Sequence, residues 1–166
     1  PSRYRLPTPD GRPIRVGNSP RIIPGSDETF ASYDLPWANA SNTPFRLYKH
    51  WVHEGGIATP FIVQWPSQIR ERTVIDTPCH VIDIMATCLD LAGAKAPTEN
   101  GGTDTTPIAG ESLRRFFQGR AVEREQPLFW EHEGNRAVRD GDWKLVSKHP
   151  GDWELYNMRE DRTELN

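Results

Sequence analysis

No stretch of this sequence approaches the roughly 20 consecutive apolar residues that an α-helix needs to cross a bilayer. A soluble chain with no membrane partner is expected. Charge excess is lacking too: 20 Lys and Arg stand against 23 Asp and Glu, a net charge of −3 over 166 residues. Without a basic surplus there is no electrostatic reason to expect nucleic acid as a partner. Cysteine is scarce, with only Cys79 and Cys88. In or beside one helical stretch, they would sit ~13 Å apart on opposite faces, beyond the ~7 Å between Cα atoms that a disulfide tolerates. Two free thiols are expected, which leaves the compartment open. The chain starts at Pro1 rather than Met, with nothing near it resembling a signal peptide, so this start is expected not to be the natural one. Internal repeats and low-complexity tracts are also absent.

What is present is unevenly distributed. The length suits one domain with a sizeable core. Eight of the 15 prolines precede residue 45, and Asp10-Gly11 and Pro24-Gly25 punctuate the same stretch. Residues 1–44 therefore read as a long irregular loop region. "TPFIVQWP", Thr59 to Pro66, is a short apolar run bounded by prolines, which predicts a strand buried on both faces. Beyond it Thr77 and Pro78 suit a helix start, and Gly93 suits its end. Val81, Ile84, Met85, Cys88, Leu89 and Ala92 recur at helical spacing, predicting an amphipathic helix over a core. A polar loop, "TENGGTDTTP", leads to a short helix near "GESLRRFFQG". Residues 121–166 read as antiparallel strands, with Asp140-Gly141 as a two-residue hairpin turn and a second turn at Pro150-Gly151. The fold class is α/β, with residues 45–120 in the α/β core and 121–166 in a small antiparallel sheet that looks incomplete at its end.

Chemistry concentrates in "NTPFRLYKHWVHEGGIATPFIVQWP", Asn42 to Pro66. Gly55 and Gly56 permit positive φ and close backbone approach, so the loop can turn sharply into the segment that follows. Lys49, five residues before Glu54-Gly55-Gly56, is then held at a sheet edge, where ligands of open α/β sheets bind. A compact ammonium there suits an oxyanion such as sulfate or phosphate, although many such lysines are simply solvated on a turn. His50 and His53 have i, i+3 spacing, but Trp51 and the glycines argue against a helix, and no Asp or Cys joins them locally. No metal ligand is expected in this chain. Glu131-His132-Glu133 lies on or just after a strand, with His132 on the face opposite its neighbours. Asp83 reads as a buried hydrogen-bonding residue of the helix. Asn39-Ala40-Ser41 fits the glycosylation sequon, and the six Trp read as core and sheet-face residues.

"WANASNTPFRLYKHWVHEGGIATPFIVQWP" strongly resembles the segment of type I sulfatases that carries their C-terminal active-site lysine. "CHVIDIMATCLDLAGA", "IAGESLRRFFQG" and "AVRDGDWKLV…WELYNMREDRTELN" resemble, in order, that family's next helix, its G-x-S-L stretch and its C-terminal sheet. The resemblance implies the C-terminal part of an alkaline-phosphatase-like sulfatase fold and hydrolysis of sulfate esters, with aryl sulfates and sulfated glycans both open as substrates. It implies that Lys49 binds the sulfate and helps stabilise charge at the leaving oxygen. His132 is the second expected substrate contact, where the C-terminal sheet could reach back toward the cleft.

The family uses a formylglycine nucleophile and Ca²⁺. The formylglycine motif, C/S-x-P-x-R, is absent here, and Pro1-Ser2-Arg3 echoes only its tail. The calcium-ligating aspartates and Asp-Asn pair of the family are also missing. Both groups are expected from an N-terminal sulfatase portion, the chain's main partner; alone, the fragment is expected to be inactive and prone to self-association. The resemblance favours a periplasmic or extracellular setting. Other readings are a phosphodiesterase or phosphonate hydrolase of the same superfamily, or a catalytically silent module that binds sulfated sugars.

Overall fold

The computed structural model describes residues 7–32, 34–120 and 123–166; the Pro1-Ser2-Arg3 echo lies outside them. Its organising element is a four-stranded antiparallel sheet in the order β5-β6-β7-β8. Before it come β1 (Arg15–Val16), β2 (Thr29–Phe30), α1 (Leu35–Asn42), α2 (Glu54–Ile57), α3 (Ile82–Ala92), β3 (Glu99–Asn100), β4 (Thr103–Asp104) and α4 (Arg114–Phe117). The sheet is built from β5 (Leu128–His132), β6 (Asn135–Asp140), β7 (Trp143–Ser147) and β8 (Trp153–Asn157). No helix among the described residues is long and apolar enough to cross a membrane.

Two-residue turns set the register of the sheet. His132 pairs with Asn135 across Glu133-Gly134, whose φ values of 50° and 88° give both central residues the left-handed backbone of a type I′ turn. Asp140 pairs with Trp143, so the second turn is Gly141-Asp142, one residue later than expected, with Gly141 at φ 55°. Ala137 lies opposite Val146, and Lys144 opposite Tyr156. Strand alternation therefore places all four on one face. Val52 closes that face from the loop before α2, and with Met158 these apolar residues form the buried cluster, flanked by Ile57 and Trp130.

Several expectations change. The apolar run at 59–66 forms no strand, and Phe61, Ile62 and Val63 are exposed; no described segment offers it a ladder of hydrogen bonds, and a strand exists only by pairing. α3 starts at Ile82 rather than near Thr77, but stops at Gly93 as expected. Gly93 adopts φ 61°, and Ala94 N–H donates to Leu89 O at 2.9 Å. The buried side chains of α3 are Asp83 and Thr87, whereas Val81 and Met85 are 71% and 57% exposed. Its apolar stripe is thus uncovered by the described residues. The Pro-rich region is more ordered than expected, with β1 and β2 pairing in parallel and α1 accepting Pro36 in its first turn, where a missing N–H costs nothing. The polar loop before α4 closes as the hairpin of β3 and β4. Among the tryptophans, Trp143 and Trp153 lie on an exposed face of the sheet, within the sheet-face expectation, whereas Trp37 is exposed on α1.

Candidate functional site

The loop that carries Lys49 lies directly on the two glycines. A β-carbon on Gly55 would overlap the carbonyl oxygens of Arg46 and Leu47, and one on Gly56 those of Tyr48 and Trp51. Neither glycine adopts positive φ; close approach alone requires them. Trp51 N–H turns back to Tyr48 O at 3.2 Å. The Trp51 ring packs edge-on against Tyr48 and His50, with Lys148 Nζ 5.3 Å from its centroid. Lys49 projects from this turn exposed, with no ion pair among the described residues.

Beneath the loop lies a buried charge network. Lys144 Nζ is 2.8 Å from Glu54 Oε1 and 2.7 Å from Glu164 Oε1, with the Lys144 and Glu164 side chains wholly inaccessible. Glu54 N–H, at the start of α2, donates to Glu164 Oε2 at 2.8 Å. One ammonium thus joins the loop, a central strand and the C-terminal segment. Arg46 adds bonds to Glu164 O at 3.0 Å and to Tyr156 Oη at 3.2 Å, and an ion pair with Glu154 at 3.2 Å. The Tyr156 hydroxyl donates to Glu154. Burial and that carboxylate together push the phenol up to about 12. His53, fully buried, has Nε2 3.5 Å from Glu154 Oε2. Burial holds its imidazole below the usual histidine range, against the pull of Glu164 and Glu154.

A second cluster sits beside Lys49 at the β5–β6 turn. His50 Nδ1 lies 3.0 Å from Glu133 Oε2, and the His50 and His132 rings meet edge-on at 5.6 Å between centroids. The buried Asn135 amide donates to His50 O at 3.3 Å and to His132 O at 2.8 Å, while its oxygen accepts from His149 N–H at 3.0 Å. The structure therefore brings His132 to the residue next to Lys49. It also separates the two histidines that the sequence pairs, since His53 is buried beneath the loop and His50 is exposed.

Calcium, implied by the resemblance, takes six to eight oxygen ligands. Among the described residues the potential cation ligands converge as two imidazoles and one carboxylate, which does not fit it. Asp83 is structural, as expected. Its buried carboxylate accepts from Arg124 at 2.7 and 2.9 Å and from the N–H groups of His80 and Glu111. Burial raises its pKa, but these bonds outweigh burial and hold it below the ordinary carboxylate value. Cys79 and Cys88 are free and exposed.

Sequence reasoning missed Glu54, Lys144 and Glu164 as supports of the site. One signal was available: in β7 the alternation that buries Val146 also buries Lys144, and a lysine on a core face demands a buried anion.

Residues 45–166 match the family described as N-sulphoglucosamine sulphohydrolase, C-terminal. An uncharacterized sulfatase of Schizosaccharomyces pombe is 32% identical over 148 residues, covering 85% of this chain and 27% of that protein. N-acetylgalactosamine-6-sulfatase of Sus scrofa is 31% identical over 129 residues, 76% of this chain and 23% of that protein. A solved structure, of a protein in complex with its substrate D-glucosamine-2-N,6-O-disulfate, has a TM-score of 0.37 at 24% identity over 51% of this chain and 18% of that one. The chain thus spans about a quarter of the length of these curated relatives.

Proposed function

Because the chain belongs to the family of sulfatase C-terminal regions described as N-sulphoglucosamine sulphohydrolase, C-terminal, we propose that it is the C-terminal part of an enzyme hydrolysing sulfate esters, with Lys49 binding the sulfate group. The observation that carries this reading is the exposed Lys49 on a turn that two glycines and a buried ion network hold in place. An ammonium presented on a held turn meets developing negative charge with little reorganisation of the backbone that carries it. Lys49 binds and stabilises; it supplies no attacking group. The nucleophile and the calcium ion would be supplied by the remainder of the enzyme. His132, held beside His50, contacts the part of the substrate that bears the sulfate. Sulfated glycans are the favoured class, since the Sus scrofa relative is named for a sulfated amino sugar. The exposed apolar side chains of the 61–63 segment and of α3 are covered by that same remainder.

The full-length enzyme tests both residues. Lys49→Ala should lower kcat by about 10²–10³-fold, or about 3–4 kcal/mol of transition-state stabilisation, with its unfolding midpoint unchanged. His132→Ala should raise KM or alter preference among sulfate esters. A Lys49→Ala enzyme with wild-type kcat refutes the assignment of Lys49, and an unchanged kinetic profile across several esters refutes that of His132.

A further inference from the structure

We propose that His50, His132 and Glu133 form a binding site for a zinc-like divalent transition metal, which pins the Lys49 loop to the β5–β6 turn. One nitrogen of each histidine and one oxygen of Glu133 lie within 4.8 Å of one another, and the His50–Glu133 pair is at 3.0 Å. Tetrahedral zinc with bonds near 2.0–2.1 Å sets its ligand atoms about 3.3 Å apart, so small side-chain rotations bring the third atom into place.

The donor set is selective. Two imidazoles and a carboxylate suit zinc, copper or nickel and are a poor match to calcium. Three exposed side chains leave a fourth position open to water or a ligand.

The frame that holds these donors is built rather than accidental. The Asn135 side chain, 1% exposed, bonds the backbone carbonyls of both His50 and His132, bridging segments 85 positions apart. Its third bond, from His149 N–H, fixes its orientation. Two of the three donors also occupy backbone conformations that non-glycine residues rarely adopt, His50 at φ 114° and Glu133 at φ 50°. That backbone is maintained by the Asn135 clamp and the hairpin turn.

Nothing in this proposal requires the sulfatase reading, although an ion on His132 would compete with the substrate contact proposed for that imidazole. The two are separated by measuring metal binding without substrate.

Calorimetric titration of Zn²⁺ into the chain, with Cys79 and Cys88 replaced by Ser so that no thiol competes, should show one saturable site. Ca²⁺ in the same experiment should give none. His50→Ala, His132→Ala and Glu133→Gln should each weaken zinc binding by about tenfold or more. Zinc should also raise the thermal unfolding midpoint of the parent chain but not of the His50→Ala chain. All three side chains are exposed, so the variants should fold with metal-free midpoints near the parent's. Absent zinc binding, or zinc binding that survives both histidine substitutions, overturns the proposal.

Discussion

At the scale of single residues, Lys144 shows how a charge can become part of a core. Its ammonium has no contact with solvent and two carboxylates within 2.8 Å. Removing one partner of such a group leaves the other charges buried and uncompensated, at a cost of about 3–5 kcal/mol. Lys144→Met keeps the aliphatic volume and deletes the charge, setting Glu54 and Glu164 against each other. We expect its urea midpoint to fall by an amount corresponding to that cost. Glu54 opens α2 and α2 supports the Lys49 turn, so a full-length Lys144→Met enzyme should lose kcat as well. A variant as stable as the parent would show that the network contributes little. Gly55 and Gly56 act at the same scale, because each gives up its side chain so that the loop can lie on the backbone.

At the scale of elements, α3 is held by polar contacts rather than by its apolar stripe. Thr87 Oγ1 donates to Asp83 O and accepts from Leu113 N–H, while the Asp83 carboxylate joins Arg124 to the start of the helix. The folded pKa of Asp83 lies below the ordinary value of 3.8, so the unfolded chain binds its proton more readily. Stability from this group is therefore complete above pH 3.8 and is lost as pH falls through the folded pKa. Unfolding midpoints measured down a pH series should drop in that window. Arg124→Gln should lower stability at neutral pH by about 3–5 kcal/mol and shrink the acid-dependent part, because the buried carboxylate then loses its largest stabilising partner. An identical acid profile in the variant would show that another group governs it.

At the scale of the whole molecule, much of the apolar surface of the described residues is displayed rather than enclosed. Ile62 is 89% exposed, and Val74 and Val81 are similarly bare. Patches of that kind drive association. The 166-residue chain should therefore self-associate with rising concentration and should not hydrolyse sulfate esters when calcium is added. Light scattering and an aryl-sulfate assay check both, and a stable monomer that turns over substrate would contradict the proposed dependence on the rest of the enzyme.

Local rules in the sequence determined a good deal here. Gly93 ends α3 because only its backbone accepts the left-handed conformation at no steric cost. The C-terminal strands follow from period-two alternation and turn residues. The Lys49–Glu54–Gly55–Gly56 spacing was legible because a loop must approach those glycines closely. Tertiary structure alone decided what depends on contact between distant segments. The 59–66 run has strand composition, but a strand requires a hydrogen-bonded neighbour that the described residues do not supply. His50 looked local to His53, yet its neighbours are His132 and Glu133 from the far hairpin, brought together by the amide of Asn135. Alternation in β7 puts Lys144 on the core face, but only the tertiary structure brings Glu54 and Glu164 to it. Spacing along a chain specifies backbone geometry, whereas the meeting of His50 with His132 and of Glu54 with Lys144, residues far apart in the chain, exists only once the sheet has closed.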